Sequence, residues 1–591
     1  MGKTPIRKNV KIQDTWDLTK LCENDEKWEE RAKKIRKIVP EAKQFEGQLV
    51  LNAENLEKGL SWKNKLFLEL ESLGNYAFLK VCADGSDSSN QRRMGIISQI
   101  YSEAESAVSF FEPEILESSE VEAWLESPIL ADNSIYLKKL LKFKAHTLSQ
   151  KEEKILAMQG ELQSTVSDVY QDLSNIDMNF GEIDGKPLTQ STFSSFLINP
   201  DREIRKKAYL QYYKTYDNLK NTISKLYSGS IKQDCFNAKV RNFDSSLKAA
   251  LFPDNVPESV YTNLINTIHE AFPTLHRYYD IKKKALGVDR LAHWDVYAPM
   301  VKEVSMHTSY DEAVNIIEKA LQPLGKEYVD TLINGLTKDR WVDRYENIGK
   351  RSGAFSSGTY NGFPHILLSY KEDVIHDIFT LAHEGGHSMH SYYSVRNNPF
   401  SCYDYTIFEA EVASTFNEQL LFHYMIENTK DKQMKAYLIA NQLDSMIGTL
   451  FRQTMFAEFE LLCHKQVENK EPLTVESFKS IYRSLLENYF SKNLEFAETS
   501  DLEGLRIPHF YRAFYVYKYS TGICASIALS ERVLNGGKKE LDDYLGFLKR
   551  GGSKYPIENL KKAGVDMSSP EPIRKALKKF ENLLNEFETL V

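Results

Sequence analysis

Two histidines four residues apart constrain the fold of this chain more than any other feature. In Leu381-Ala382-His383-Glu384-Gly385-Gly386-His387 both imidazoles reach one point only if the stretch is helical, because residues four apart then share a face. Glu384 lies one residue on, turned by roughly 100° around the helix, which leaves its carboxylate beside the pair. Two imidazoles on a zinc ion with a carboxylate to work a water molecule are the parts of a metal-dependent hydrolase. Ile375, Ile378, Phe379, Leu381 and Ala382 give the incoming helix an apolar face to bury.

A catalytic zinc ion needs a third protein ligand and an open position. Downstream, the available donors are His390, Asp404, Glu409, Glu411 and Glu418. His390 is close to the same face, but the rise of about 1.5 Å per residue carries it away from an ion held by the pair. An HxxGxxH continuation is absent, which excludes the metzincin pattern. Glu411 opens a second helical stretch far enough on for the chain to loop and return across the first. Glu418 follows about 10 Å along the same side, a better place for an outer partner than for a ligand. Glu409 faces away from Glu411. The expected set is one Zn2+ per chain on His383, His387 and Glu411, with Glu384 as the base.

Around this centre the chain reads as mainly α. Apolar residues recur at helical spacing through Trp62–Val81, Lys138–Val166 and Pro200–Lys284, and again from Asp373 nearly to Val591, with a break at Gly551–Pro556. Turn residues at Asn179–Leu188 mark a hairpin or linker, and a boundary near residue 190 divides an N-terminal helical domain (1–190) from a catalytic domain (191–591). Between residues 286 and 304, and again through Gly349–Tyr370, the period changes. The second of these stretches predicts a small β-sheet beside the zinc-motif helix, whose edge can hold an extended peptide.

The 591 residues carry 75 Lys and Arg against 83 Asp and Glu, a net charge of −8 without a basic block, which gives nucleic acid no electrostatic hold. Six scattered cysteines without a CxxC pair fit a reducing compartment. The polar N-terminal stretch and the lack of a long apolar run make a cytoplasmic protein with no membrane span the expectation.

His383-Glu384-Gly385-Gly386-His387 followed by Phe408-Glu-Ala-Glu411-Val-Ala-Ser-Thr-Phe-Asn-Glu418 resembles the M3 family of zinc metallopeptidases, and within it the oligoendopeptidase F branch. The resemblance runs over most of the chain. It implies a large helical metallopeptidase fold with a deep substrate channel, and endopeptidase cleavage of short peptides. A zinc metallocarboxypeptidase and a non-catalytic peptide-binding helical protein are the alternatives.

A second constellation, Arg506-Ile-Pro-His509-Phe-Tyr511-Arg-Ala-Phe-Tyr515-Val-Tyr517-Lys-Tyr519, puts Tyr511, Tyr515 and Tyr519 on one helical face and Phe510, Phe514 and Tyr517 on another, a pattern that aromatic core packing also explains. In M3 relatives a histidine and tyrosines here face the substrate carbonyl. His509 and Tyr517 match those positions and are implied as catalytic donors, with Tyr511 and Tyr515 beside the substrate. His365, on the strand expected to face substrate, and Gly385 are two further expected contacts. The two glycines of the motif would cost an exposed helix about 2 kcal/mol against alanines, so close packing or substrate approach must compensate.

Overall fold

A computed structural model describes residues 4–302, 304 and 306–591. Helices carry nearly all the regular structure among them, and the strands form two small sheets. No helix among the described residues is long and apolar enough to cross a membrane, and the six cysteines are free thiols.

The chain forms two compact units, each assembled from three separated stretches. The first is Met1–Thr147, Ser305–Glu427 and Leu529–Val565; the second is Leu148–Val304, Asn428–Ala528 and Asp566–Val591. A cut near residue 190 therefore falls inside the second unit, and the zinc-motif stretch packs with the N-terminal helices, not apart from them.

In the first unit Asn52 caps the helix Ala53–Ala83 by accepting from the Asn55 amide, which satisfies a donor that the helix start leaves unpaired. Its inner face buries Leu66, Leu70, Leu73 and Leu79. Trp28 of Asp25–Ile38 is wholly buried and donates Nε1–H to the Leu73 carbonyl. The sheet of this unit has strand order β3-β5-β4: β3 (Val342–Asp343) runs parallel to the central β5 (His365–Leu367), and β4 (Phe355–Ser357) pairs antiparallel along its other side. Both β4 and β5 pack on the helix Ile375–Asn397, so the expected sheet beside the motif is present. Buried Asp343 anchors it through Arg7 and Lys350, the latter at 2.7 Å.

The second unit is organised around the 39-residue helix Arg202–Val240, whose Tyr209, Tyr212, Tyr213 and Tyr216 are all buried. Phe193 stacks on Tyr212 at 3.8 Å. The turn residues at 179–188 make a hairpin of β1 (Glu182–Ile183) and β2 (Lys186–Pro187), with Asp184 and Gly185 at the positive φ that a two-residue connection requires. The continuous helix expected over 138–166 is interrupted. Ser149 and Glu152 close a capping box that starts a new helix, Gln150–Met158, and Gly160–Asp172 follows as another. Among the described residues of 286–304 there is a 3-10 turn at His293–Asp295.

His365 corrects an expectation. It sits in the middle strand, 0% exposed, with its Nε2–H donating to the Asp17 carbonyl at 3.0 Å and its ring edge-on to Trp16. A central strand covered on both faces offers nothing to a substrate. Burial pushes this imidazole from its ordinary 6.5 down to about 4, against the opposing pull of Asp17. Its contribution to stability is complete above pH 6.5 and is lost as pH falls towards 4, to the extent of roughly 3 kcal/mol. His365→Gln keeps the donor and removes the titration. Denaturant midpoints followed from pH 7 to 4 should fall less steeply in the variant, and parallel curves would refute the assignment.

Candidate metal centre

The helix Ile375–Asn397 is held by burying Ile375, Ile378, Leu381, Ala382, Met389 and Tyr393. At its centre His383 and His387 lie side by side, ring centroids 4.8 Å apart. The second helix, Ile407–Asn428, brings Glu411 to them: its Oε2 is 3.5 Å from His383 Nε2 and 3.8 Å from His387 Nε2. One ligand atom from each of the three lies within 4.8 Å of the others, the one such group of three among the described residues. The sequence spacing had singled out the same three.

The crossing of the two helices depends on glycine. A Cβ on Gly386 would lie 2.5 Å from the Ala413 carbonyl oxygen and 2.6 Å from Ser414 Cα, so only a hydrogen there lets the backbones approach this closely. Asn417, wholly buried, donates to the Ala382 carbonyl at 3.2 Å and accepts from the Tyr328 hydroxyl at 3.1 Å, which ties the second helix to the first at the level of the motif. Gly385 is a different case. Its missing Cβ would meet the Leu332 side chain at 3.3 Å, so it faces the helix Gly325–Leu336 and not a substrate as expected.

Glu418 hydrogen-bonds Nδ1 of His383, which turns the Nε2 lone pair towards Glu411 and fixes the tautomer a ligand needs. Burial opposes charge on His383, while the bond to Glu418 and the nearby charges of Glu384 and Glu411 favour it, a demand for positive charge at this position that a cation would meet. His387 is held neutral by burial, assisted by its neighbours His383 and His390. Glu384 is buried, and burial together with the negative charges of Glu411 and Glu418 lifts it to about 7, with His383 pulling the other way. Its Oε2 has no hydrogen-bond partner, and the Ser356 backbone of β4 lies against the carboxylate. Three carboxylates around two imidazoles, one carboxylate oxygen unpaired and the ligand side chains 18–30% exposed, form a donor set that suits a divalent cation open on one side.

The other candidates separate. His390 is wholly buried, stacked on Tyr405 at 3.6 Å, and Glu409 is buried against Asn559; neither joins the three. In the second unit His509 lies parallel to Tyr515 at 5.9 Å and edge-on to Tyr519, whose hydroxyl meets that of Tyr515 at 3.3 Å. Burial and the nearby Arg512 charge lower the His509 imidazole. Tyr517, by contrast, is 0% exposed with its ring against Tyr261 at 5.1 Å, and Tyr511 turns inward to stack on Tyr170 at 4.5 Å. The side chains brought together are thus His509, Tyr515 and Tyr519. The spacing of four between Tyr515 and Tyr519 had put these two on one face.

Comparison with known proteins places the chain in a family. The model of peptidase family M3 matches residues 195–579, and that of the oligopeptidase F N-terminal region matches 116–180. An oligoendopeptidase F homolog of Borreliella burgdorferi is 42% identical over 99% of both chains. Oligopeptidase PepF of Bacillus subtilis is 41% identical, covering 100% of this chain and 89% of its own. Among solved structures, a Chlamydophila abortus protein superposes with a TM-score of 0.93 at 36% identity over 100% of both chains. Oligoendopeptidase F of Enterococcus faecium does so with 0.75 at 33% identity, over 96% of this chain and 99% of its own.

Proposed function

The chain belongs to peptidase family M3 and is a metalloendopeptidase, from which we propose that short peptides are its substrates and zinc its metal. His383, His387 and Glu411 would hold one ion per chain, and the mutual approach of their ligand atoms is the observation that carries the reading. When bound, zinc supplies Lewis acidity to a peptide carbonyl and to the attacking water.

The protein's own groups do the rest. Glu384, balanced near neutrality by its burial, takes a proton from the water and returns one to the leaving amine. Glu418 keeps His383 in the tautomer whose Nε2 is free to bind the metal. The edge strand β4 offers main-chain groups to an extended peptide, which favours backbone recognition over side-chain selection. Of the aromatic segment, the part-exposed His509, Tyr515 and Tyr519, and not the enclosed Tyr517, are the side chains open to a substrate.

A peptide blocked at both ends tests the activity. Internal cleavage read by mass spectrometry is expected, with loss on chelation and recovery on adding Zn2+. Cleavage that persists through exhaustive chelation would overturn the metal assignment. Action only on an unblocked C-terminus would point to a carboxypeptidase.

A further inference from the structure

Glu460, in the helix Arg452–Glu468 of the second unit, takes no part in the chemistry above and is wholly buried. Its Oε1 accepts the Phe514 amide at 3.0 Å, and its Oε2 has no partner. Burial pushes the carboxyl well above its usual range, so it is held neutral. Phe514 has a φ of 53°, a left-handed conformation that bulky side chains rarely enter and that persists only where the surroundings impose it. Its ring is lodged edge-on to Tyr261 at 5.7 Å and against His464 at 4.5 Å. His464 donates Nδ1–H to the Glu460 carbonyl at 2.8 Å.

The left-handed residue decides how the following side chains point. It stands between the 3-10 turn Pro508–Tyr511 and the helix Tyr517–Asn535. Beyond it, Tyr515 lies against His509 and Tyr519, while Tyr517 goes inward to Tyr261. A carboxyl with one oxygen unpaired in an aromatic core is costly to keep when an apolar side chain would fill the same space. We propose that Glu460 is a positioning residue: by accepting the Phe514 amide it holds the turn that presents His509 and Tyr515 to substrate. This rests on the reading that those two side chains bind substrate.

The test uses full-length, zinc-loaded protein and a fluorogenic peptide. Glu460→Gln keeps a neutral acceptor and should stay within twofold of the parent. Glu460→Met fills the space without an acceptor and should lower kcat/KM by about tenfold, mostly in kcat, with zinc content unchanged. Hydrogen–deuterium exchange over residues 508–516 should be slow in the parent and faster in the methionine variant. His509→Ala and Tyr515→Phe serve as controls and should both slow turnover. Parental kinetics in Glu460→Met alone would overturn the positioning role, and parental kinetics in both controls would overturn the loop reading beneath it. Should the methionine variant not accumulate, exchange in the parent decides: a protected segment supports the inference, and rapid exchange refutes it.

Discussion

Glu384→Gln should retain bound metal and lose kcat by roughly 10²–10⁴-fold, the usual weight of general acid–base catalysis. The substitution keeps the size and burial of the side chain, so the packing of Ile375–Asn397 and the ligands on it is preserved. What disappears is a carboxylate lifted to about 7 by its enclosure and by two neighbouring acids, with its Oε2 free of any hydrogen-bond partner. Removing a negative charge beside the ligands also weakens metal binding slightly, so metal content must be measured alongside turnover. Metal retained with turnover lost would confirm the assignment. Turnover within tenfold of the parent would show that another base serves.

Gly386→Ala should be nearly as severe by a different route. The new methyl group would sit 2.5 Å from a backbone oxygen of Ile407–Asn428, and a backbone cannot rotate aside as a side chain does. The helix must back away, carrying Glu411 from the two histidines it now approaches at 3.5 and 3.8 Å. Overpacking of this kind costs about 1–3 kcal/mol of stability, and an ångström of ligand displacement is worth about 10²-fold in activity. Gly385→Ala is the control. Its methyl meets only the Leu332 side chain, which can yield, and it gains helix propensity of about 1 kcal/mol. Zinc titration and thermal melting of the two alanine variants should separate them clearly. Equal behaviour would mean that the helix crossing is not set by Gly386.

The contrast between the two glycines shows what could be read in advance. Helical spacing alone paired His383 with His387, and the position of Glu411 on a returning helix supplied the third member. Glu418 as an outer partner followed from the same geometry. The pattern could not say which glycine faces the second helix, because that depends on the angle at which the helices cross. Likewise, face counting along an ideal helix separates Tyr515 and Tyr519 from Tyr517, but choosing between the two faces required the left-handed Phe514, which no local pattern announces. His365 misled because a strand beside the motif has two possible uses, and only its central place among three strands shows that it is core. The break at residue 149 was read through as continuous helix, although Ser149 and Glu152 have the spacing of a capping box.

The interleaving of the first unit bears on biosynthesis. The helix Lys538–Arg550 packs on the helix of the histidine pair, and both belong to a unit that also needs Met1–Thr147 and does not close before Val565. On a ribosome that extends the chain from its N-terminus, His383, His387 and Glu411 emerge long before the residues that complete their support. Support for the peptidase centre is therefore drawn from segments on both sides of it in the chain.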